Sequence, residues 1–226
     1  MSKTFLSLGN QPLANHFKSK KVKSFYTLNL KFNNQNKLVS INKRVKKEIM
    51  FNKTYPYRSS LSMSVKNHFK DLSKLIKEGY SHKNILEIGS NDGTFAKNFY
   101  KNQITCVEPC YDVGNALKKK GFKVHVRYFD DKLIKLLLKN SQKFDLIFSA
   151  NTITHIDNIE KVLKNIKKIL SHEGVFILEE PSFLECFKKN AFDQFYNEHI
   201  YVLSAIALKN ILKKIGLRIV KLENIE

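Results

Sequence analysis

From residue 84 onward, short apolar runs alternate with amphipathic stretches. The runs "NILEIG", "ITCVEP", "FKVHV", "FDLIFSAN" and "GVFILEE" have strand length and are rich in Ile, Val and Phe. The stretches "TFAKNFYK", "VGNALKKKG", "DDKLIKLLLKN" and "IDNIEKVLKNIKKIL" space their apolar residues three and four apart, which predicts helices. Asp157 is the expected cap of the last of these. After "FYNEHIYVL" (residues 195–203) the pattern predicts a helix over "SAIALKNILKKIG" and a final strand over "LRIVKLE". Strands alternating with helices of this length predict an α/β protein, Rossmann-like, with a mostly parallel sheet.

The first part of the chain lacks this regularity. Residues 1–70 are rich in Lys, Asn and Ser. "FYTLNLKF" and "NKLVSI" predict a short hairpin turning at "NNQN". An amphipathic helix follows from about Ser62 to Glu78, and Gly79 ends it. The expected division is an appendage with its linking helix over 1–75 and the α/β domain over 76–226.

Composition narrows the class. A chain of 226 residues with 42% hydrophobic content can bury one good core. No apolar run approaches the roughly 20 residues that span a bilayer, and "MSKTFLSLGN" lacks the apolar stretch of a signal peptide. A cytoplasmic protein without membrane partners is expected. The net charge of +20 invites a nucleic-acid reading, but the cations are 36 Lys and only 4 Arg, scattered along the chain. Arginine is the residue suited to bidentate phosphate and base contacts, so nucleic acid is an unlikely partner. An anionic small substrate suits such a surface. Cys106, Cys110 and Cys186 fit neither a disulfide framework nor a zinc site, and free thiols are expected.

The candidate chemistry lies at the carboxyl ends of the predicted strands, where open α/β sheets hold ligands. The first ends in "LEIGSNDGTFA", acidic–x–Gly–x–x–x–Gly from Glu87 through Gly89 to Gly93. This is neither a dinucleotide fingerprint nor a P-loop. Gly89 and Gly93 permit a tight turn and close approach of a ligand, and Glu87 and Asp92 suit positive groups. Glu108 ends the second strand, about 20 residues on, where a carboxylate can accept two ribose hydroxyls. Asp130 in "YFDD" follows the third strand, within reach of an adenine amino group. "SANTITHI" ends the fourth. "FYNEHIYVL" places Tyr196, Glu198, His199 and Tyr201 together, with core-edge aromatics as the alternative reading of the two tyrosines. His16, His68, His82, His125 and His172 lie outside these motifs.

The loop from Glu87 to Gly93 resembles motif I of the class I methyltransferases that use S-adenosylmethionine (SAM). "SLGNQPLANHF", "YPYRSSLSMSVKNHF", "LEIGSNDGTF", "VEPC", "NTITHI", "EEPSF" and "FDQFYNEHIYVLS" follow one another as in the sugar C-methyltransferase family, and "YNEHIYVLS" is similar to its Tyr-x-Glu-His signature. The resemblance implies SAM as cofactor, held by Glu87, Gly89, Asn91, Asp92, Gly93, Glu108, Asp130 and Asn151. It also implies C-methylation beside the ketone of a dTDP-linked 4-keto-deoxysugar. His199 would be the base, Tyr196 and Glu198 its companions, and His155 and Tyr55 further catalytic positions, with Tyr57 the neighbouring candidate.

Two departures from that family pattern carry expectations. Where one zinc cysteine pair would fall, the chain has Asn33 and Asn36, so no metal is expected. The family's seventh strand and second domain would lie beyond "LRIVKLENIE", so a second chain supplying them is an expected partner. O- or N-methylation of another small substrate, an inactive SAM-binding fragment and a basic interaction module are the alternatives.

Overall fold

The computed structural model describes residues 2–15, 24–53, 55–79 and 84–225. The chain forms two compact units interleaved in sequence. One comprises Met1–Lys46, Ile153–Lys164 and Glu180–Glu226; the other comprises Lys47–Thr152 and Asn165–Glu179. The appendage expected over 1–75 is thus drawn differently. Residues after 46 go with the parallel sheet, and 180–226 go with the N-terminal strands.

In the first unit, β1 (Ser2–Gln11), β2 (Tyr26–Asn33) and β3 (Val39–Ile41) form an antiparallel meander. The hairpin between β2 and β3 turns where the sequence places it. Asn33 O accepts the N–H of Lys37, and Lys37 takes a φ of 61° to close the loop. β1 was not expected. Most of its side chains are exposed, and only Leu6 and Leu8 pack inward, an alternation too short to mark a strand in "SKTFLSLGNQ".

The second unit begins with the short α1 (Lys47–Met50) and the long α2 (Met63–Gly79). Its sheet strands are β4 (Ile85–Ile88), β5 (Ile104–Val107), β6 (Lys123–His125), β7 (Phe144–Ala150) and β8 (Leu170–Glu179). All pair in parallel, in the order β6-β5-β4-β7-β8. β4 and β5 are buried at every position, as central parallel strands covered on both faces must be. α3 (Tyr111–Lys119), α4 (Asp131–Lys139) and α5 (Ile159–Ile169) are the helices the amphipathic stretches predicted. "TFAKNFYK" yields only a 3-10 turn at Ala96–Asn98, where Asn98 turns its amide back onto the Thr94 and Phe95 carbonyls. The core stacks Phe95 on Phe148 at 3.8 Å between centroids, with Phe69 edge-on to both.

To the first unit belong α6 (Phe183–Lys188), β9 (Tyr201–Val202), α7 (Ala205–Ile215) and the part of α5 up to Lys164. β9 adds to β3, completing the order β1-β2-β3-β9. Ser204 caps α7 through the Ala207 N–H, and Gly216 closes it in the left-handed conformation at φ 70°. Two expectations are corrected here. The segment "LRIVKLE" forms no strand, and Val220 and Leu222 in it are exposed: alternation alone cannot make a strand without a partner edge. Asp157 does not cap α5. It pairs with Arg44 at 2.9 Å, and Asn158 Oδ1 accepts the Lys161 N–H instead.

Candidate active site

The strand order reverses between β4 and β7, the position where doubly wound sheets hold ligands. Gly89 leaves β4 with φ 76°, and a Cβ there would lie 2.1 Å from Thr152 Oγ1 at the end of β7. Gly93 has φ 80°, and its missing Cβ leaves room for Leu117 at 2.4 Å. Both glycines are therefore fixed by space as well as by backbone angle.

Between them, Asn91 sits at φ 46° and gathers the loop. Its N–H donates to Glu108 Oε2 at 2.8 Å, its Oδ1 accepts from Ser59 N at 3.0 Å, and its Nδ2 donates to Tyr57 O at 3.2 Å. Asp92 accepts from Ser60 N at 3.1 Å and Thr94 Oγ1 at 2.7 Å. Burial pushes the Asp92 carboxyl up, but these bonds and the charge of Lys120 outweigh it and hold it below its ordinary range. The "YPYRSS" segment is thereby tied to the motif loop, which the sequence alone did not reveal.

Glu108 is buried and uses one oxygen for Asn91 N–H and the other for Cys110 N–H at 2.7 Å. A carboxylate has about four acceptor sites, so beside these amides and the Cys110 thiol the pair of oxygens retains capacity for a ligand hydroxyl. Burial raises its pKa against the pull of those amides and of Arg58. Glu87 is raised well above the usual carboxylate value by burial and then by Glu108, and its Oε2 is buried without a hydrogen-bond partner. A cationic group beside it would satisfy that oxygen and return the acid to its charged form. The unsatisfied acceptor and the two glycine cradles fit a ligand that carries a sulfonium, an ammonium and a ribose.

The other members of the expected set divide. Asn151 ends β7 at φ 48°, with its side chain exposed and its N–H on Glu179 O. Asp130 spends Oδ1 on the Leu133 N–H as the cap of α4. Tyr55 is buried against Phe51, Cys110 and Val113, a packing position within the parallel-sheet unit; Tyr57 is exposed. His68, passed over in the sequence, pairs with Glu179 at 2.7 Å.

The acid–base cluster lies in the other unit. The 3-10 turn Ile153–His155 presents His155, and the segment before β9 presents Tyr196, Glu198 and His199. His155 and His199 stack with centroids 5.0 Å apart at 27°, and Tyr196 tilts over His199 at 4.0 Å. His199 Nδ1 lies 2.9 Å from Gln194 O, and Nε2 lies 2.7 Å from Tyr196 Oη. A carbonyl only accepts, so Nδ1 carries the proton and Nε2 offers its lone pair to the tyrosine hydroxyl. Glu198 is buried and accepts from Asn15 Nδ2 at 2.7 Å, a contact across 183 positions that no local pattern signals.

Burial pulls His199 down to about 4 despite Gln194 O and Asp193, and pulls His155 well below its ordinary value, with His199 adding to the effect. Both rings are neutral at pH 7. In the unfolded chain the same rings protonate near their ordinary value, so falling pH favours unfolding. Stability from His199 is fully present above about 6.5 and is lost toward about 4, on the order of 3 kcal/mol. Urea unfolding at about pH 7 and about pH 4.5 reads this loss, and His199→Gln should make the fall shallower.

Among the described residues no group of three or more His, Cys, Asp or Glu could hold a metal ion, and no helix is long and apolar enough to cross a membrane. Cys106, Cys110 and Cys186 are buried and form no disulfide.

A parallel five-stranded sheet with glycine turns and strand-end carboxylates at its reversal point defines a Rossmann-like α/β fold of the nucleotide-cofactor class. The chain belongs to the methyltransferase domain family, whose model matches residues 61–222, and that family takes SAM as its cofactor. Over 188 residues it is 23% identical to the C-methyltransferase NovU of Streptomyces niveus, which covers 81% of this chain and 44% of that protein. The chain thus spans less than half the length of this curated relative. In fold it is similar to a SAM-dependent methyltransferase from Archaeoglobus fulgidus, with a TM-score of 0.55 at 18% identity over 75% of this chain and 72% of that one. It is also similar to the CurJ carbon methyltransferase, with a TM-score of 0.53 at 16% identity over 74% and 53%.

Proposed function

We propose that the chain methylates a carbon beside a ketone, on a nucleotide-linked keto-deoxysugar. The observation that carries this reading is the His199 tautomer, fixed by Gln194 O and leaving Nε2 as the basic atom with Tyr196 Oη upon it. Such a carbon is nucleophilic only as an enolate, so the reaction needs a neutral base and a donor for the developing oxyanion. As the Tyr196 hydroxyl turns from Nε2 toward the substrate oxygen, His199 Nε2 takes the proton from carbon. The C–H electron pair moves into the enolate, and the Tyr196 hydroxyl or the His155 ring donates to its oxygen. The low pKa keeps His199 neutral, and the negative charge of the enolate raises its basicity as the proton arrives. Glu198, held by Asn15, is the further member of the cluster.

Bound SAM supplies an electrophilic methyl group. Glu108 would take its ribose hydroxyls and Asp130 its adenine amino group. Glu87 and Asp92 would face its positive groups, and Gly89, Gly93, Asn91 and Asn151 would shape the loops that receive it. A nucleotide sugar also needs walls of its own, and a further domain or a second chain would provide them. The similarity to a C-methyltransferase supports the reaction type.

The test is proton exchange. In deuterated buffer the protein should wash deuterium into the carbon next to the ketone of a 4-keto nucleotide sugar, followed by NMR. Methylation of an oxygen or nitrogen with no such exchange would remove the enolate reading.

A further inference from the structure

The turn Ile153–His155 carries one ring of the stacked pair, and a single carboxylate holds it. Glu180 Oε1 accepts the N–H of Ile153 at 2.7 Å and of Thr154 at 3.3 Å, and Oε2 accepts the Thr154 hydroxyl at 2.7 Å. From the other direction, Thr154 O accepts the N–H of Ile200 at 2.9 Å, the residue after His199. A three-residue 3-10 turn has little of its own to hold it: Ile156 N–H to Ile153 O, at 3.2 Å, is its main internal bond. A carboxylate receiving two amides and a hydroxyl is a far stronger restraint than that bond. Thr154 is 1% exposed, so its hydroxyl has no water to turn to.

We propose that Glu180, acting through Thr154 and the Ile153–Thr154 amides, is a positioning residue that sets the angle of His155 against His199. An imidazole works in proton transfer or oxyanion stabilisation only within roughly 0.5 Å and 10–20° of its working geometry. The clamp restrains the His155 backbone, and the Ile200 bond ties the same turn to the strand segment of His199. The role rests on the enolate reading for its chemical purpose, but the clamp itself is a statement about ring geometry and is read independently.

The test compares Glu180→Gln, Thr154→Val and Thr154→Ser with the parent protein. Gln removes one acceptor and the charge, Val removes the hydroxyl at nearly constant shape, and Ser restores it. Three readouts are taken: the nuclear Overhauser contact between the His155 and His199 ring protons, SAM affinity by calorimetry, and deuterium exchange into the 4-keto nucleotide sugar. The Gln and Val variants should lose or weaken the ring contact and slow exchange about 10-fold or more, the size usual for orienting partners. SAM affinity should stay within about twofold, and Ser should restore both other signals. A folded Thr154→Val and Glu180→Gln with the ring contact and exchange rate intact would overturn the proposal. If Glu180→Gln fails to fold, Thr154→Val decides alone. Loss of the ring contact with no exchange by any variant, the parent included, upholds the clamp and removes the enolate reading.

Discussion

Replacing His199 with alanine lowers turnover of a keto nucleotide sugar roughly a hundred- to ten-thousand-fold, the range for removing a positioned general base. The substitution deletes a ring whose Nδ1–H is held by Gln194 O at 2.9 Å, which leaves Nε2 as its basic atom. Tyr196, left without its acceptor, cannot replace it, because a phenol is a far weaker base at neutral pH. SAM affinity should be unchanged, since the carboxylates and glycine turns that would receive the cofactor lie in the other unit. The pair of measurements is kcat by product analysis and Kd by calorimetry. A histidine serving only as packing would reduce stability and leave kcat per folded molecule near its original value; that result would sink the assignment.

Gly89→Ala carries the second large effect, this time on the cofactor loop. The new Cβ would stand 2.1 Å from Thr152 Oγ1, 2.6 Å from its Cγ2 and 2.8 Å from its Cβ, with the backbone at φ 76°. The left-handed angle costs about 1 kcal/mol and the overlap about 1–3 kcal/mol more. For a chain of this size the melting temperature should fall by roughly 5–12 °C. SAM affinity should fall at least about tenfold, since the loop that moves also carries Asn91 and Asp92. The geometry makes a sharper test available. Thr152→Gly removes all three contacted atoms along with the Thr152 hydroxyl bond to Ala150 O, so measured against Thr152→Gly alone the double variant should show only the angular strain of about 1 kcal/mol. A Thr152→Ala partner should rescue less, because its Cβ remains at 2.8 Å. Equal stability of Gly89→Ala and the parent would show that the end of β7 yields freely and that the glycine is not needed.

The clearest reading of the sequence was the loop from Glu87 to Gly93. Its information is local: a strand, two glycines with positive φ and acids at fixed spacing, all within a few positions. The Tyr196–His199 contact was likewise legible, because three residues separate its members. Tyr55 shows what lies beyond the motif: the family pattern suggests a catalytic tyrosine, and only the fold shows its ring packed on Phe51 at 5.3 Å and on Cys110 and Val113. Asp130 looks like a ligand acid in sequence and is, in the fold, also a helix cap. A side chain's chemistry is written in the sequence; how much of its hydrogen-bonding capacity is already used is not.

The same boundary runs through the whole molecule. The alternation of apolar runs and amphipathic stretches determined the parallel sheet, since a strand buried on both faces and a helix buried on one leave distinct periods. It could not determine the fate of "LRIVKLE", whose strand pattern needed an edge to pair with and found none. Only the tertiary structure decided that Glu180 holds a turn 26–27 positions away and that Asn15 meets Glu198 across 183. It also decided that the two histidines stack in a place dry enough to keep them neutral. Periodicity is a property of neighbours in the chain. Burial, tautomer and charge state are properties of neighbours in space, and they exist only once the chain has folded.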